Sequence, residues 1–219
     1  MPYCAKKIFY KEHVFHIDQN VYEPAEDTFL FAQNLTVRRG AKVADIGTGC
    51  GILGILAAKR AAEVLAVDIN PWAVQCAKEN AKLAHVAEKT LLIQGDLFRP
   101  LRPEEKFDLI LFNAPYLPSE NDEGKLWIER AWAGGASGRK IIDAFIFEAP
   151  RHLNNNGEIL LMQSTLSNVE ETLEKLKEKG GLNASILAKQ DLQLFETIML
   201  IRAKSSKHHP GDKTITVSS

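Results

Sequence analysis

The sequence predicts an α/β fold: a mostly parallel seven-stranded sheet with helices on both faces and an antiparallel edge strand. From Gly40 onward, seven short runs rich in Val, Ile and Leu, bounded by Gly, Asp or Asn, read as strands. Amphipathic stretches of helical length separate most of them, and a parallel connection needs a crossover that is usually a helix. The last two runs are joined by too few residues for a helix, so they should pair antiparallel at an edge.

Taken in order, His13 and His16 flank Phe15 in an apolar and polar alternation that suits a strand or arm better than a ligand pair. PAEDTFLFAQNL (24–35) reads as a helix whose dipole is complemented by the acids at its start, Glu23, Glu26 and Asp27. The strands are AKVADIG (41–47), AEVLAVD (62–68), KTLLIQG (89–95), FDLILFN (107–113), GEILLMQ (157–163), NASILAK (183–189) and FETIMLIRA (195–203). GILGILAAKRAA (51–62) and PWAVQCAKENAKLA (71–84) are helical, the second with Asn70 as cap and Pro71 at its first position. GRKIIDAFIFEAPRHL (138–153) and SNVEETLEKLKEKG (167–180) follow, the latter stopped by Gly180 and Gly181. Trp127 and Trp132 fall in a helical stretch and read as core or lid packing, and His85 and His152 lie near helix ends with no special role.

A chain of 219 residues, 45% of them hydrophobic, can bury one full core. Its net charge of -1 argues against a protein that holds nucleic acid by electrostatics alone. No apolar run approaches the roughly 18 to 20 residues needed to span a bilayer, and MPYCAKKIFYKEH lacks the apolar centre of a signal peptide. A soluble, cytoplasmic protein without a membrane partner is expected. Cys4, Cys50 and Cys76 form no C-x-x-C pair, so neither a disulfide framework nor a metal site is expected. The division expected is an arm over 1–20, a catalytic domain over 21–203 and a flexible tail over 204–219, whose His208 and His209 have no acidic or Cys partner at ligand spacing.

Chemistry gathers at the strand ends. VADIGTGCGILG places Asp45 before Gly47, Gly49 and Gly51, glycines that permit a tight turn and close approach of a ligand to backbone. Gly49, Gly51 and Gly54 also satisfy the dinucleotide pattern, with Asp68 at the expected distance. A pyrophosphate, however, favours a positive helix terminus without a carboxylate beside it, so Asp45 suits a cationic guest. Asp68 can accept from both ribose hydroxyls. Asp96 can accept from an adenine amino group while Leu97 packs on the ring. S-adenosylmethionine, a sulfonium and ammonium without phosphate, answers this set. FNAPYLP (112–118) then ends a buried strand in an amide, a rigid proline and an aromatic.

The set Asp45-x-Gly47-x-Gly49-x-Gly51, Asp68, Asp96-Leu97 and Asn113-Ala114-Pro115-Tyr116 resembles the class I S-adenosylmethionine-dependent methyltransferases of amide or exocyclic amino nitrogen. VYEPAEDTFL (21–30) and WAGGASGRKIID around Gly134 and Gly135 are similar to segments of the HemK-type protein glutamine methyltransferases, short archaeal and eukaryotic branch. The likeness covers nearly everything except the tail. It implies a Rossmann-like fold, cofactor contacts from Thr28, Asp45, Gly47, Asp68, Asp96 and Leu97, and an Asn113 that binds both cofactor and substrate amide. It also implies the glutamine of the Gly-Gly-Gln motif in a class 1 translation release factor as substrate, and a small zinc-binding activator subunit as partner. The family pattern is Asn-Pro-Pro-Tyr; Ala114 departs from it but keeps the backbone carbonyl and, preceding Pro115, an extended bias.

A glutamine amide is a poor nucleophile because its lone pair is delocalised into the carbonyl. The expected solution is positional: the Asn113 side-chain oxygen and the Ala114 carbonyl accept the two amide hydrogens, Pro115 stiffens the turn, and Tyr116 stacks on the amide beside the sulfonium. Two rivals stand beside this reading. An adenine-N6 or other nucleic-acid amino methyltransferase would use the same Asn-x-Pro-Tyr on a flipped base. A non-catalytic dinucleotide-binding module would use the Gly49 to Gly54 pattern. The strand KTLLIQG could pair with the activator if it forms a sheet edge.

Overall fold

The computed structural model describes residues 4–119, 126–193 and 195–205. Its centre is a seven-stranded sheet made of β3 (Lys42–Ile46), β4 (Glu63–Asp68), β5 (Thr90–Gln94), β6 (Phe107–Asn113), β7 (Leu153–Ser164), β8 (Leu182–Asp191) and β9 (Thr197–Ser205), in the order β5-β4-β3-β6-β7-β9-β8. The first five run parallel, and β9 is antiparallel to both β7 and β8. The final two strands do pair antiparallel at an edge, but the reversed strand is β9, one place inside it, and the edge itself is β8. β5 forms the opposite edge.

The helices are α1 (Glu26–Asn34), α2 (Ile52–Ala58), α3 (Pro71–Leu83), α4 (Trp127–Arg130), α5 (Lys140–Glu148) and α6 (Val169–Glu178). On one face α1, α2 and α3 bury Phe31, Ile55 and Ala73 against Val43, Leu109, Leu111 and Leu160. On the other, α5 and α6 bury Phe145, Ile146 and Leu176 against Ile46, Ile110 and Phe112, and the rings of Phe112 and Phe145 stack at 4.2 Å. Fully burying one such ring contributes about 1.5–3 kcal/mol. Both faces being covered explains why β3 and β6 read as continuous apolar runs.

Local signals behave as their chemistry requires. The Asn70 side chain accepts from Trp72 N–H and Pro71 opens α3. The chain turns after α6 through Gly181 at φ 61°. The helix expected over 138–153 is shorter, because Pro150 cannot continue an α-helical ladder and residues 149–152 tighten into a 3₁₀ turn. Trp127 begins the four-residue α4 and Trp132 lies just beyond it. β9 extends to Ser205, past the expected tail boundary at 204; residues 206–219, with His208 and His209, lie outside the described residues. Among the described residues no helix is long and apolar enough to cross a membrane.

The N-terminal segment forms a hairpin of β1 (Cys4–Tyr10) and β2 (His13–Asp18) that belongs to the main core, since Phe15 and Ile17 are buried in it. Asn80 on α3 pins it. Fully buried, Asn80 accepts from His16 N–H at 2.8 Å and donates to the carbonyls of His16 and Cys50 at 2.8 and 2.9 Å. Further on, Asn70 donates to the Asn20 carbonyl at 2.8 Å. The chain thus reaches Tyr22 and α1 along a fixed path. Replacing Asn80 with Ala removes three hydrogen bonds to backbone groups, of which the His16 carbonyl keeps the Cys76 thiol at 3.0 Å. We therefore expect a loss on the order of 2 kcal/mol, read as a lower urea midpoint with unchanged slope. A midpoint equal to that of the parent would remove Asn80 from this role.

Candidate active site

The site forms where ligands bind in open parallel sheets, beyond the carboxyl ends of the strands. After β3 the backbone turns through Gly47, Thr48, Gly49, Cys50 and Gly51 into α2, and the amides of Gly47 and Thr48 donate to the Val67 carbonyl at 2.8 and 3.0 Å. Gly49 sits at φ 57°, a conformation that costs a side-chain-bearing residue, and its N–H donates to Asp68 Oδ2 at 2.8 Å. Asn70 N–H donates to Asp68 Oδ1 at 2.9 Å. Burial raises the Asp68 pKa above the ordinary carboxylate value, against the pull of these two donors. Each Asp68 oxygen keeps a second lone pair.

These groups border a cavity of about 320 Å³. Of the sequence-predicted residues, Thr28, Gly47, Gly49, Asp68, Asp96, Leu97, Asn113 and Pro115 line it. Asp45 and Gly51 do not. Asp45 is buried beneath the turn, where Oδ2 accepts from Thr48 Oγ1 at 2.6 Å and from Gly54 N–H at 2.9 Å, so its carboxyl braces the loop rather than facing a guest. Gly51 packs against α3, and a Cβ there would lie 3.0 Å from that of Ala77. Asp96 pairs with Arg99 at 2.7 Å.

A second chamber of about 140 Å³ adjoins the first, lined by Tyr22, Asp27, Asn113, Ala114, Tyr116, Leu117, Ala131 and Trp132. Asn113, Tyr22 and Ala131 belong to both walls. The Asn113 Nδ2 donates to Asp27 Oδ2 at 3.1 Å and to Thr28 Oγ1 at 3.0 Å. A carboxylate only accepts, which forces the NH₂ of Asn113 to that side. The opposite atom, Oδ1, is buried without a hydrogen-bond partner. Asp27 Oδ1 accepts from Thr28 N–H at 2.6 Å, from Thr28 Oγ1 at 3.1 Å and from the Tyr22 hydroxyl at 3.0 Å. Burial, then the Asp27 charge, drives the pKa of both Tyr22 and Tyr116 far above the usual tyrosine value, so both phenols remain neutral.

Comparison with known proteins supplies the family. The ribosomal protein L11 methyltransferase model matches residues 27–114. A candidate protein N5-glutamine methyltransferase of Methanocaldococcus jannaschii is 43% identical over 185 residues, 84% of this chain and 91% of that protein. The chain belongs to the protein N5-glutamine methyltransferase family. The human Methyltransferase HEMK2 is 34% identical across 85% of this chain and 91% of its own length, and a release factor glutamine methyltransferase of Rhodopirellula baltica is 30% identical across 89% and 72%. Among solved structures, a ribosomal protein L11 methylase from Lactobacillus delbrueckii subsp. bulgaricus superposes with a TM-score of 0.59 at 25% identity, covering 88% of this chain and 84% of that one. M. jannaschii TYW2 in complex with AdoMet shares the fold with a TM-score of 0.61 at 17% identity, covering 90% and 84%. The chain is therefore an enzyme of the methyltransferase class, and membership of the family implies S-adenosylmethionine as methyl donor. The cavity suits that group: it joins a glycine turn, an Asp68 carboxylate with spare lone pairs and an apolar Leu97 in one wall.

Sequence reasoning passed over Asp27, reading it as a first-turn acid. A signal was present, because Asp27, Leu30 and Phe31 recur at i, i+3 and i+4 and share the buried face of α1. Tyr22, Ile69 and the rim pair Trp127 and Arg130, whose guanidinium stands 4.8 Å over the ring, offered no such periodicity.

Burial raises the Asp45 pKa from 3.8 to about 6, against the hydrogen bonds from Thr48 and Gly54. Between those values the folded chain holds a proton that the unfolded chain has released. Its contribution to stability is therefore complete below about pH 4 and is lost as pH rises through about 6, an effect on the order of 3 kcal/mol. Asp45→Asn can place its amide oxygen where Oδ2 sits and keep both donors. We expect urea unfolding between pH 4 and 7 to show a flatter pH slope for that variant, and identical slopes would refute the assignment.

Proposed function

We propose that this enzyme methylates the side-chain amide nitrogen of a glutamine in a protein, the Gly-Gly-Gln glutamine of a class 1 translation release factor, in the cytoplasm. The supporting observation is the Asn113 amide, whose NH₂ is held by Asp27 and Thr28 while Oδ1 is buried without a partner at the junction of the two chambers. An unpaired buried acceptor is costly, and a substrate N–H entering the smaller chamber would satisfy it.

Asn113 Oδ1 and the Ala114 carbonyl accept the two N–H groups of the substrate amide. That pair of contacts turns the nitrogen lone pair toward the larger cavity. Tyr116, neutral and beside Asp27, covers the amide face, and Pro115 limits the turn's freedom. Asp68 takes ribose hydroxyls on its spare lone pairs, Asp96 and Leu97 take the adenine, and Gly47, Gly49 and Thr28 hold the remainder. Bound S-adenosylmethionine supplies an electrophilic methyl group on a sulfonium. The proton lost from nitrogen passes to water, so alignment rather than a strong base lowers the barrier.

A small zinc-binding activator subunit is the proposed partner. β5 favours its docking, being a short edge strand on which Leu91 is 60% exposed. Incubating the purified chain with labelled cofactor and a release factor, with and without that subunit, tests the reading, with DNA as the competing acceptor. Label in the release factor glutamine is expected; label in DNA alone would replace this proposal with an adenine methyltransferase. Asn113→Ala is expected to lower transfer by about 100-fold or more while S-adenosylhomocysteine affinity changes by less than about 1 kcal/mol. Asp27→Ala releases the Asn113 amide to rotate, and we expect roughly a tenfold loss of kcat.

A further inference from the structure

Residues 133–139 carry a cluster that the site described so far does not use. The Arg139 side chain is 7% exposed. Its Nη1 donates to the carbonyls of Ser167 and Asn168 at 2.6 and 2.5 Å and to Thr172 Oγ1 at 3.0 Å, and its Nη2 donates to Asp143 at 2.8 Å. Glu171 lies 3.2 Å from Nε as an ion pair. Lys175 closes the group, 2.8 Å from Asp143 and 2.5 Å from Glu171, so two cations face two carboxylates. Arg139 is thereby fastened to the carbonyls that lead into α6.

The other side of the same segment presses on the catalytic turn. Gly138, at φ 71°, lies so close to Tyr116 that an added Cβ would stand 2.3 Å from the Tyr116 carbonyl oxygen. A Cβ on Gly134 would stand 2.5 Å from the Gly138 oxygen. Leu117 N–H donates to the Trp132 carbonyl at 3.0 Å, Gly134 N–H to the Leu117 carbonyl at 2.8 Å, and Ser119 N–H to the Gly135 carbonyl at 2.9 Å. Tyr116, Leu117, Ala131 and Trp132 are wall residues of the smaller chamber.

We propose that Arg139 is a positioning residue for methyl transfer: by clamping the Gly134 to Gly138 segment to the start of α6, it holds the Tyr116 backbone, and with it the acceptor chamber, in register with Asn113. This rests on the glutamine-amide reading of that chamber. A guanidinium suits the task because its planar fork reaches carbonyl, hydroxyl and carboxylate partners in several directions at once, whereas an ammonium keeps the charge but not that geometry. Asp68, Asp96 and the Gly49 turn, which carry the nucleoside side, lie on other elements. Ala133, Lys140 and Ile141, flanking the clamped segment, border the larger cavity as well, but Tyr116, the residue pressed by Gly138, borders only the smaller one, so the clamp acts first on the acceptor side.

The test compares Arg139→Lys, Gly138→Ala and the double variant with the parent enzyme. Calorimetry with S-adenosylhomocysteine gives the concentration of competent sites and the affinity. Labelled-methyl assays on the release factor give kcat per competent site and KM, and NMR of selectively labelled tyrosines, four in the chain, reports on Tyr116. We expect Arg139→Lys to lower kcat per competent site by about 10- to 100-fold, as misplacement near 1 Å does. S-adenosylhomocysteine affinity should stay within about threefold, under 1 kcal/mol. The Tyr116 ring signal should move while that of Tyr10 stays. Losses from the two substitutions should be non-additive, because both act through the same backbone contact. An unchanged kcat per competent site, additive losses, a parallel fall in S-adenosylhomocysteine affinity, or an unmoved Tyr116 signal would overturn the proposal. If the parent enzyme itself transfers no methyl to glutamine, the substrate reading fails, and the Tyr116 signal still decides whether Arg139 holds the turn.

Discussion

One contact governs the rest of the site: the buried carboxylate of Asp27 facing the side-chain amide of Asn113. A carboxylate can only accept, so it selects one of the two orientations an asparagine can take, and that choice places a lone acceptor on the substrate side. Burying such an acid is unfavourable unless donors surround it. Tyr22, the Thr28 amide, the Thr28 hydroxyl and Asn113 supply them. The position of α1 against the end of β6, and the hairpin path fixed by Asn80 and Asn70, follow from the need to bring this acid to that strand end.

The acids at the strand ends divide their work. Asp45 works inward, tying Thr48 and Gly54 so that the loop between them holds its shape. Asp68 works in both directions, bonded to two backbone amides while still facing the cavity. A pocket assembled in this way is organised before any ligand arrives, because its polar groups are held by rigid strands and their immediate continuations.

Most of the architecture was legible because its signals are local. Alternating apolar runs gave the strands, Asn70 with Pro71 gave the start of α3, and the Asp and Gly residues at strand ends marked the cavity side. Direct wall placement was harder to read. Asp45 and Gly51 sit in the same motif as Gly47 and Gly49, yet one braces the loop and the other packs on Ala77, a distinction made by side-chain direction in three dimensions. Asp27 and Glu26 are adjacent acids in one helical turn, and only the phase of Leu30 and Phe31 separates the buried one from the other. The place of β9 between β7 and β8 follows from pairing between distant segments, which no short window of sequence contains.

That placement bears on how the chain folds as it is synthesised. Strands β3 to β6 can associate as they emerge, each beside a neighbour already made. β7 cannot be completed so early: its outer ladder, from Glu158 to Ser164, is filled only by residues 198–204. Until those residues leave the ribosome, the buried run Ile159, Leu160, Leu161 and Met162 ends in an open edge, the kind of surface on which nascent chains associate wrongly. The β8 and β9 hairpin is therefore the element that covers this edge, a protection the earlier part of the chain does not supply for itself.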